Sequence, residues 1–156
     1  MQNFIKSQTR LAFIQFIFQS KFFNSETMED INDFQKHFYE TNIAIIDEKK
    51  EFKLKFNKNF LNKLLINYKC NTDKKVIIDE INEFIDIERK FEKWDNTLKS
   101  IVIAIISELT ITDKAKIKIV LNDYLNISKS LVSSKETKLI NAIIQKYINK
   151  NEINKK

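Results

Sequence analysis

Histidine and carboxylate side chains are the groups with which this sequence could perform acid–base or metal chemistry. His37 is its only histidine, so no histidine pair, cysteine–histidine dyad or multi-histidine metal site can be formed. Five carboxylates on one predicted helix could in principle hold a divalent cation: Asp79, Glu80, Glu83, Asp86 and Glu88. Because no basic or hydroxyl partner accompanies them at motif spacing, a solvated helix face is the favoured interpretation.

Glycine and proline are both absent from the sequence. Glycine-rich loops that cradle phosphates need glycine at defined positions, so nucleotide hydrolysis by that route is excluded. No nucleophile, tuned acid or base, or set of metal ligands stands at a defined spacing. The sequence therefore predicts a protein that is not an enzyme and that uses neither a metal nor a cofactor.

The charge balance favours a polyanionic partner. The formal net charge is +6, which suits either nucleic acid or an anionic membrane surface, and composition alone does not distinguish the two. The lone cysteine, Cys70, excludes an internal disulfide and a multi-thiolate zinc site and fits a reducing compartment. A cytoplasmic location is expected.

Neither a secretion signal nor a membrane span is predicted. The apolar stretch from Leu11 to Phe18 is interrupted by Gln15, and no small-residue cleavage site follows it. The longest apolar run, Ile101 to Ile106, is far shorter than the roughly 20 residues of a transmembrane helix.

Apolar residues recur at helical spacing along most of the chain. The first predicted helix is apolar on most sides, as in a helix buried between others, and only its start, around Lys6 and Arg10, is expected to face a ligand. Capping-box spacings at Thr27 with Asp30 and at Ser133 with Glu136 predict the beginnings of the second and last helices. The alternation from Glu51 to Asn57 predicts an extended connector with no strand partner.

Four more helices are predicted between the connector and the last helix. They contain Phe60 to Tyr68, Val76 to Phe91, Trp94 to Leu109 and Ile117 to Leu131. The predicted fold class is thus all-α, a compact seven-helix bundle without a sheet. It forms one domain over residues 1–150, followed by a frayed polar tail at 151–156.

Short motifs in a fixed order carry a resemblance to a known family. Arg10, Gln15, Phe18 and Gln19 fall in register with a family segment in which Ala-Arg-x-x-Ala precedes Gln-Ala-Leu-Tyr-Gln. Four further segments of this chain stand where the family has a short motif. Phe60 to Leu65 stands in place of an aromatic pair followed by Arg-Asp-Leu-Leu, and Ser107 to Leu109 in place of Tyr-Glu-Leu. Val120 to Asp123 stands in place of Val-Ile-Asn-Glu, and Leu139 to Ile144 in place of Phe-Val-Asn-Gly/Ala-Val-Leu. In order and spacing the chain resembles the NusB family of antitermination proteins, except in the Tyr39 to Lys58 region.

The resemblance implies an all-helical fold of two packed helical subdomains. It also implies binding of the single-stranded boxA element of ribosomal RNA leader transcripts, together with the ribosomal protein NusE in the transcription antitermination complex. Unpaired bases can be read by stacking and edge contacts that a duplex would hide. Carried over by position, the RNA contacts are Lys6, Arg10, Gln15 and Phe18, with Lys135, Lys138 and Asn141 as further candidates, and the partner contacts lie on the helices that carry Glu108 and Asp123.

Departures from the family pattern keep alternatives open. The family's arginine-rich start is Lys6, Ser7 and Gln8 here, and lysine cannot reproduce bidentate phosphate contact, so reduced phosphate affinity is expected. Gln15 and Asn141 are equally compatible with hydrogen bonds inside a helix junction. The alternative function is a NusB-like protein-interaction module with weakened or lost RNA binding. An RNA-modifying enzyme is disfavoured because no residues remain for a cofactor-binding domain.

Overall fold

The computed structural model describes residues 2–23, 33, 36, 43–47, 50–53, 55–85 and 90–151. Within these ranges six α-helices supply nearly all of the regular structure, which confirms the all-helical class. The helix predicted to begin at Thr27 lies outside the described residues, apart from Asp33 and Lys36, which are both helical. The chain divides into two compact units, Met1–Thr72 and Asp73–Lys156, and each is described by itself.

The first unit contains two helices and a strand pair. In chain order these are α1 (Gln2–Phe23), β1 (Ile43–Asp47), β2 (Lys50–Lys53) and α2 (Lys58–Asn71). Both α2 and β1 lie against α1. The long first helix is therefore the element around which this unit is built.

The strand pair corrects the sequence prediction of a connector without a partner and of a fold without a sheet. β1 and β2 are antiparallel, with Ile43 opposite Lys53 and Ala44 opposite Phe52. Isoleucine has a high strand propensity, and only two residues separate the strands, which is the commonest length for a hairpin connection. The partner was missed because β1 is short and its residues do not alternate.

The core of the first unit forms where α1 meets α2. Phe13 and Phe16 each meet the Tyr68 ring edge-on, with centroid distances of 5.9 and 6.0 Å. Phe13, Ile14 and Ile17 are fully buried, so α1 is covered on several sides, as its sequence predicts. Edge-to-face aromatic pairs add about 0.5–1.5 kcal/mol each beyond their burial.

The second unit is a helical cluster. Its elements are α3 (Lys74–Glu83), a 3₁₀ turn (Phe91–Lys93), α4 (Asn96–Leu109), a 3₁₀ turn (Lys114–Lys116), α5 (Ile117–Ser128) and α6 (Ser134–Lys150). Helices α3, α5 and α6 all lie against α4, in which every residue from Ser100 to Leu109 is buried. The apolar run from Ile101 to Ile106 is thus helical, as predicted, despite its high strand propensity, and its helix is the central one of this unit.

The end of α3 differs from the sequence prediction, which extended this helix to Phe91. The helix ends at Glu83, and the Phe91 backbone N–H donates to Asn82 Oδ1 at 2.9 Å. The Phe91 ring is buried and lies 5.1 Å from the Trp94 ring. A hydrogen bond to the Asn82 side chain and an aromatic contact therefore hold Phe91 in a separate turn, although its spacing matches the helix.

The acidic face of α3 is occupied by the end of α6. Glu83 forms an ion pair with Lys150, and Glu80 Oε2 accepts a hydrogen bond from Asn151 Nδ2 at 2.9 Å. The hydrogen bond to Glu83 raises the pKa of the Lys150 ammonium. Two of the five clustered carboxylates thus fasten one helix to another, while Asp86 and Glu88 lie outside the described residues.

Candidate nucleic-acid interface

Thr9 fixes the start of α1 against the start of α2. Its Oγ1 accepts the backbone N–H of Asn57 at 2.9 Å and donates to the Ile5 carbonyl at 2.7 Å. Asn57 is the N-cap of α2, and its Oδ1 accepts the Phe60 N–H at 2.9 Å. An N-cap that is held from the neighbouring helix defines where Phe60, in the first turn of α2, must stand.

Arg10 lies over Phe60. The guanidinium carbon is 5.3 Å from the centre of the ring, a distance within the range of a cation–π contact. Only 7% of the Arg10 surface is exposed. The side chain predicted to bind phosphate is therefore largely buried in this structure, and its cation is engaged with an aromatic ring.

A cleft of about 270 Å³ opens beside this contact. It is lined by Ile5, Lys6, Asn57 and Phe60. Lys6 and Asn57 are exposed, whereas Phe60 is half-buried. The cleft therefore has an apolar wall, formed by the Ile5 side chain and the Phe60 ring, and a polar rim, formed by the Lys6 ammonium and the Asn57 amide.

Gln15 and Phe18 occupy different environments on the next two turns of α1. Gln15 is 4% exposed, and within the described part of the chain its Oε1 is buried without a hydrogen-bond partner. Phe18 is half-buried. Gln15 is thus buried, as the helix-junction interpretation expects, but among the described residues its Oε1 lacks the hydrogen bond that this interpretation also expects. Phe18 retains exposed surface.

The candidates at the start of α6 all face outward. Lys135, Lys138 and Asn141 are exposed, and their spacing of three residues places them along one side of the helix. The predicted capping box sets the start of this helix: Ser133 Oγ accepts the Glu136 N–H at 3.1 Å, and the Ser133 N–H donates to Glu136 Oε1 at 3.1 Å. The second unit therefore presents two lysines and an amide at a firmly capped helix end.

The two residues assigned to the partner face differ in exposure. Glu108 is 4% exposed and accepts a hydrogen bond from the Tyr124 hydroxyl at 2.7 Å. That bond joins α4 to α5 and gives Glu108 a role inside the unit. Partner contact through the helices that carry Glu108 and Asp123 stays a prediction. Asp123, on α5, is half-buried and keeps a surface that a partner can reach.

Within the described ranges, no group of three or more histidine, cysteine, aspartate or glutamate side chains is placed to hold a metal ion. No helix among the described residues is long and apolar enough to cross a bilayer.

Sequence reasoning missed three residues of the cleft: Ile5, Asn57 and Phe60. Phe60 belongs to a predicted helix and to a recognised motif, but it was not named as a site residue. A signal for Asn57 was present, because asparagine just before a helical segment is a typical N-cap. No pattern in the sequence indicated that Phe60 would stand beside Lys6 and Arg10.

Comparison with known proteins identifies one family over most of the chain. A family model described as the NusB family matches residues 7–149. The Transcription antitermination protein NusB of Rickettsia conorii is 26% identical over 145 residues, which cover 90% of this chain and 89% of the relative. The proteins of the same name from Rickettsia massiliae and Rickettsia africae are each 25% identical over 145 residues. No solved structure gives a significant match. Because the family model covers both units almost completely, the chain belongs to the NusB family.

Proposed function

We propose that this protein is a cytoplasmic transcription antitermination factor that binds single-stranded boxA-type RNA of ribosomal RNA leader transcripts together with the ribosomal protein NusE. The carrying observation is the family match over residues 7–149. It includes exposed Lys135 and Lys138 of α6, while exposed Lys6 lies directly before the matched range. The relatives matched over nearly their whole length are named transcription antitermination proteins. The protein acts by binding, with no catalytic step.

The exposed cations support a single-strand RNA ligand. Lys6 in the first unit and Lys135 and Lys138 in the second are exposed, and the net charge of the chain is +6. Each phosphate neutralised on a single strand contributes about −0.7 to the slope of log affinity against log salt concentration. If about three lysines do so, the slope is roughly −2. Because so few contacts give weak binding, the RNA contacts of NusE supply the rest of the affinity for RNA.

The partner surface is proposed on α5, around Asp123. Glu108 supports this surface from inside, because its hydrogen bond to Tyr124 ties α5 to α4. Exposed Ile119 lies on the same helix, four residues before Asp123, with 67% of its surface accessible. An apolar side chain beside a carboxylate suits a partner protein whose surface carries both apolar and basic side chains.

Fluorescence anisotropy with a labelled boxA-type RNA, in the presence and absence of NusE, tests the proposal. We expect weak binding by the protein alone, tighter binding with NusE, and a salt slope near −2 for the protein's own contribution. A scrambled RNA of equal length is the control for sequence preference. Equal affinity with and without NusE would contradict the proposed cooperation.

A second candidate function is supported by the burial of Arg10. With its guanidinium over Phe60, the arginine that the family pattern assigns to phosphate contributes little exposed charge, and a NusB-like module that binds only proteins becomes the alternative. It predicts that the protein binds NusE but not RNA at any salt concentration. Capture of NusE on immobilised protein, followed by addition of labelled RNA, separates the two functions. Cleavage or methylation of that RNA by the purified protein would contradict both.

A further inference from the structure

The cleft between the starts of α1 and α2 has the chemistry of a nucleotide subsite. Its volume of about 270 Å³ lies just below the range of pockets that take drug-sized ligands, so it has room for one small planar group. Ile5 and Phe60 supply apolar surface, while Lys6 and Asn57 supply polar groups at the rim. A nucleotide, with the flat aromatic face of its base and an anionic phosphate on its ribose, matches this combination.

The Phe60 ring is held in place from the side of α1. Arg10 lies over the ring at 5.3 Å from its centre, and the Phe60 N–H is bound by the Asn57 cap, which is itself bound by Thr9. A ring fixed in this way loses little conformational entropy when a base packs on it. This preorganisation distinguishes Phe60 from Phe4, which is 57% exposed and does not line the cleft.

We propose that this cleft holds one unpaired nucleotide of the bound RNA, with the base against the Phe60 ring and a phosphate at Lys6. Arg10 is a positioning residue that acts through Phe60. Asn57 Nδ2 is the donor available to an acceptor on the edge of the base. The inference rests on the proposed function, because it names one subsite of the RNA interface.

Phe60→Leu tests the stacking contact. Base–aromatic stacking contributes about 1–3 kcal/mol per base, so RNA affinity should fall roughly 5- to 150-fold. The salt slope should stay the same, because no phosphate contact is lost. Phe60→Tyr should retain wild-type affinity, and Phe4→Leu is the matched control. If Phe4→Leu weakens RNA binding as much as Phe60→Leu does, the cleft is not the stacking site.

Lys6→Gln tests the phosphate contact. One lost single-strand contact should make the salt slope shallower by about 0.7. Lys69→Gln removes one charge from the other end of α2, on the side of the helix opposite Phe60, and should leave the slope unchanged. Equal slopes for Lys6→Gln and wild type would overturn the assignment of Lys6.

Arg10→Met separates positioning from phosphate binding. The methionine keeps an apolar stem but removes the cation above the ring. With 2-aminopurine placed at successive positions of the RNA, one position should show quenched fluorescence in the wild type, and the quenching should weaken in Arg10→Met and in Phe60→Leu. The salt slope of Arg10→Met should equal that of the wild type. A slope shallower by about 0.7 would instead make Arg10 a phosphate ligand and overturn its positioning role.

Titration of the wild-type protein with adenosine monophosphate distinguishes failure of the subsite from failure of the proposed function. In the wild type, we expect adenosine monophosphate to change the chemical shifts of Ile5 and Phe60. In Phe60→Leu, the change at Ile5 should be absent. If these changes occur although no boxA-type RNA binds, the subsite stands and the proposed function fails. If RNA binds but neither the changes nor an effect of Phe60→Leu is seen, the subsite alone is overturned. If neither ligand binds, both are overturned.

Discussion

The starts of α1 and α6 carry the predicted RNA contacts, yet they differ in how firmly those residues are engaged in their own unit. Arg10 and Gln15 on α1 are 7% and 4% exposed. Lys135, Lys138 and Asn141 on α6 are all exposed. Arg10 and Gln15 are therefore part of the packed interior of the first unit, whereas the three predicted contacts on α6 can be changed with little effect on the fold.

The cause of this difference is the distribution of apolar residues around each helix. α1 is buried continuously from Thr9 to Ile17, so a polar residue in that stretch must lie inside. α6 has a single apolar stripe, which includes Ile140, Ile143 and Ile144, and polar residues outside that stripe face solvent. Variants of the two helices should thus separate loss of stability from loss of binding.

The largest expected effect is on the α1–α2 core and depends on pH. Burial raises the pKa of Tyr68 from 10.0 to about 12, so the folded state favours the neutral phenol. The resulting stabilisation, about 3 kcal/mol, is present below pH 10 and is lost as pH rises from about 10 to about 12. Chemical denaturation across this range should show the decline.

Tyr68→Phe is the control for this pH dependence. It keeps the edge-on ring contacts with Phe13 and Phe16 but has no ionisable hydroxyl. Its stability should decline less between pH 10 and 12 than that of the wild type. Identical declines would show that Tyr68 does not cause the alkaline loss of stability.

Arg10→Ala should have the next largest effect on stability. The substitution removes a buried stem and a cation–π contact, which together contribute about 1–3 kcal/mol. Lys138→Ala, on the exposed side of α6, should stay within about 0.5 kcal/mol of the wild type. Urea unfolding of the two variants measures the contrast directly. Equal stability of both variants would remove the difference drawn between α1 and α6.

Ser133→Ala should destabilise α6 by about 1 kcal/mol, since an N-cap hydroxyl is lost. Its Oγ accepts the Glu136 N–H at 3.1 Å, and alanine provides no acceptor. Ser134→Ala is the neighbouring control, because Ser134 is exposed and does not cap the helix. Thermal unfolding compares the two variants, and a loss of stability in Ser134→Ala as large as in Ser133→Ala would contradict the role of the cap.

Helical spacing and caps allowed much of the fold to be predicted from sequence. The stripe on α6 and its Ser133 cap are local features, because their partners lie within a few residues of each other. The burial of α1 was also indicated, since apolar residues surround it. The β1–β2 pair and the end of α3 were missed because each depends on a partner strand or side chain whose position the local pattern does not show.

The candidate site was predicted less completely, for a related reason. Position in a family motif identifies Arg10, but the ring that it contacts belongs to Phe60, which lies fifty residues away in the sequence. Likewise, Glu108 was assigned to a partner face, whereas its hydrogen bond to Tyr124 becomes visible only once α4 and α5 are packed. Long-range contacts determine whether a charged side chain is a surface group or an internal one.

The smallest effect on stability is expected at the exposed lysines Lys135 and Lys138 of α6, whose variants test RNA binding alone. Lys135→Gln and Lys138→Gln should each unfold within about 0.5 kcal/mol of the wild type, because both side chains are exposed. If each lysine neutralises one phosphate, each substitution should make the salt slope shallower by about 0.7, and the double variant by about 1.4. Lys146→Gln, an exposed lysine further along the same helix, is the control for a general loss of charge and should leave the slope unchanged. If the double variant keeps the wild-type slope, α6 lies outside the RNA path, and the RNA contacts of this protein are confined to the first unit.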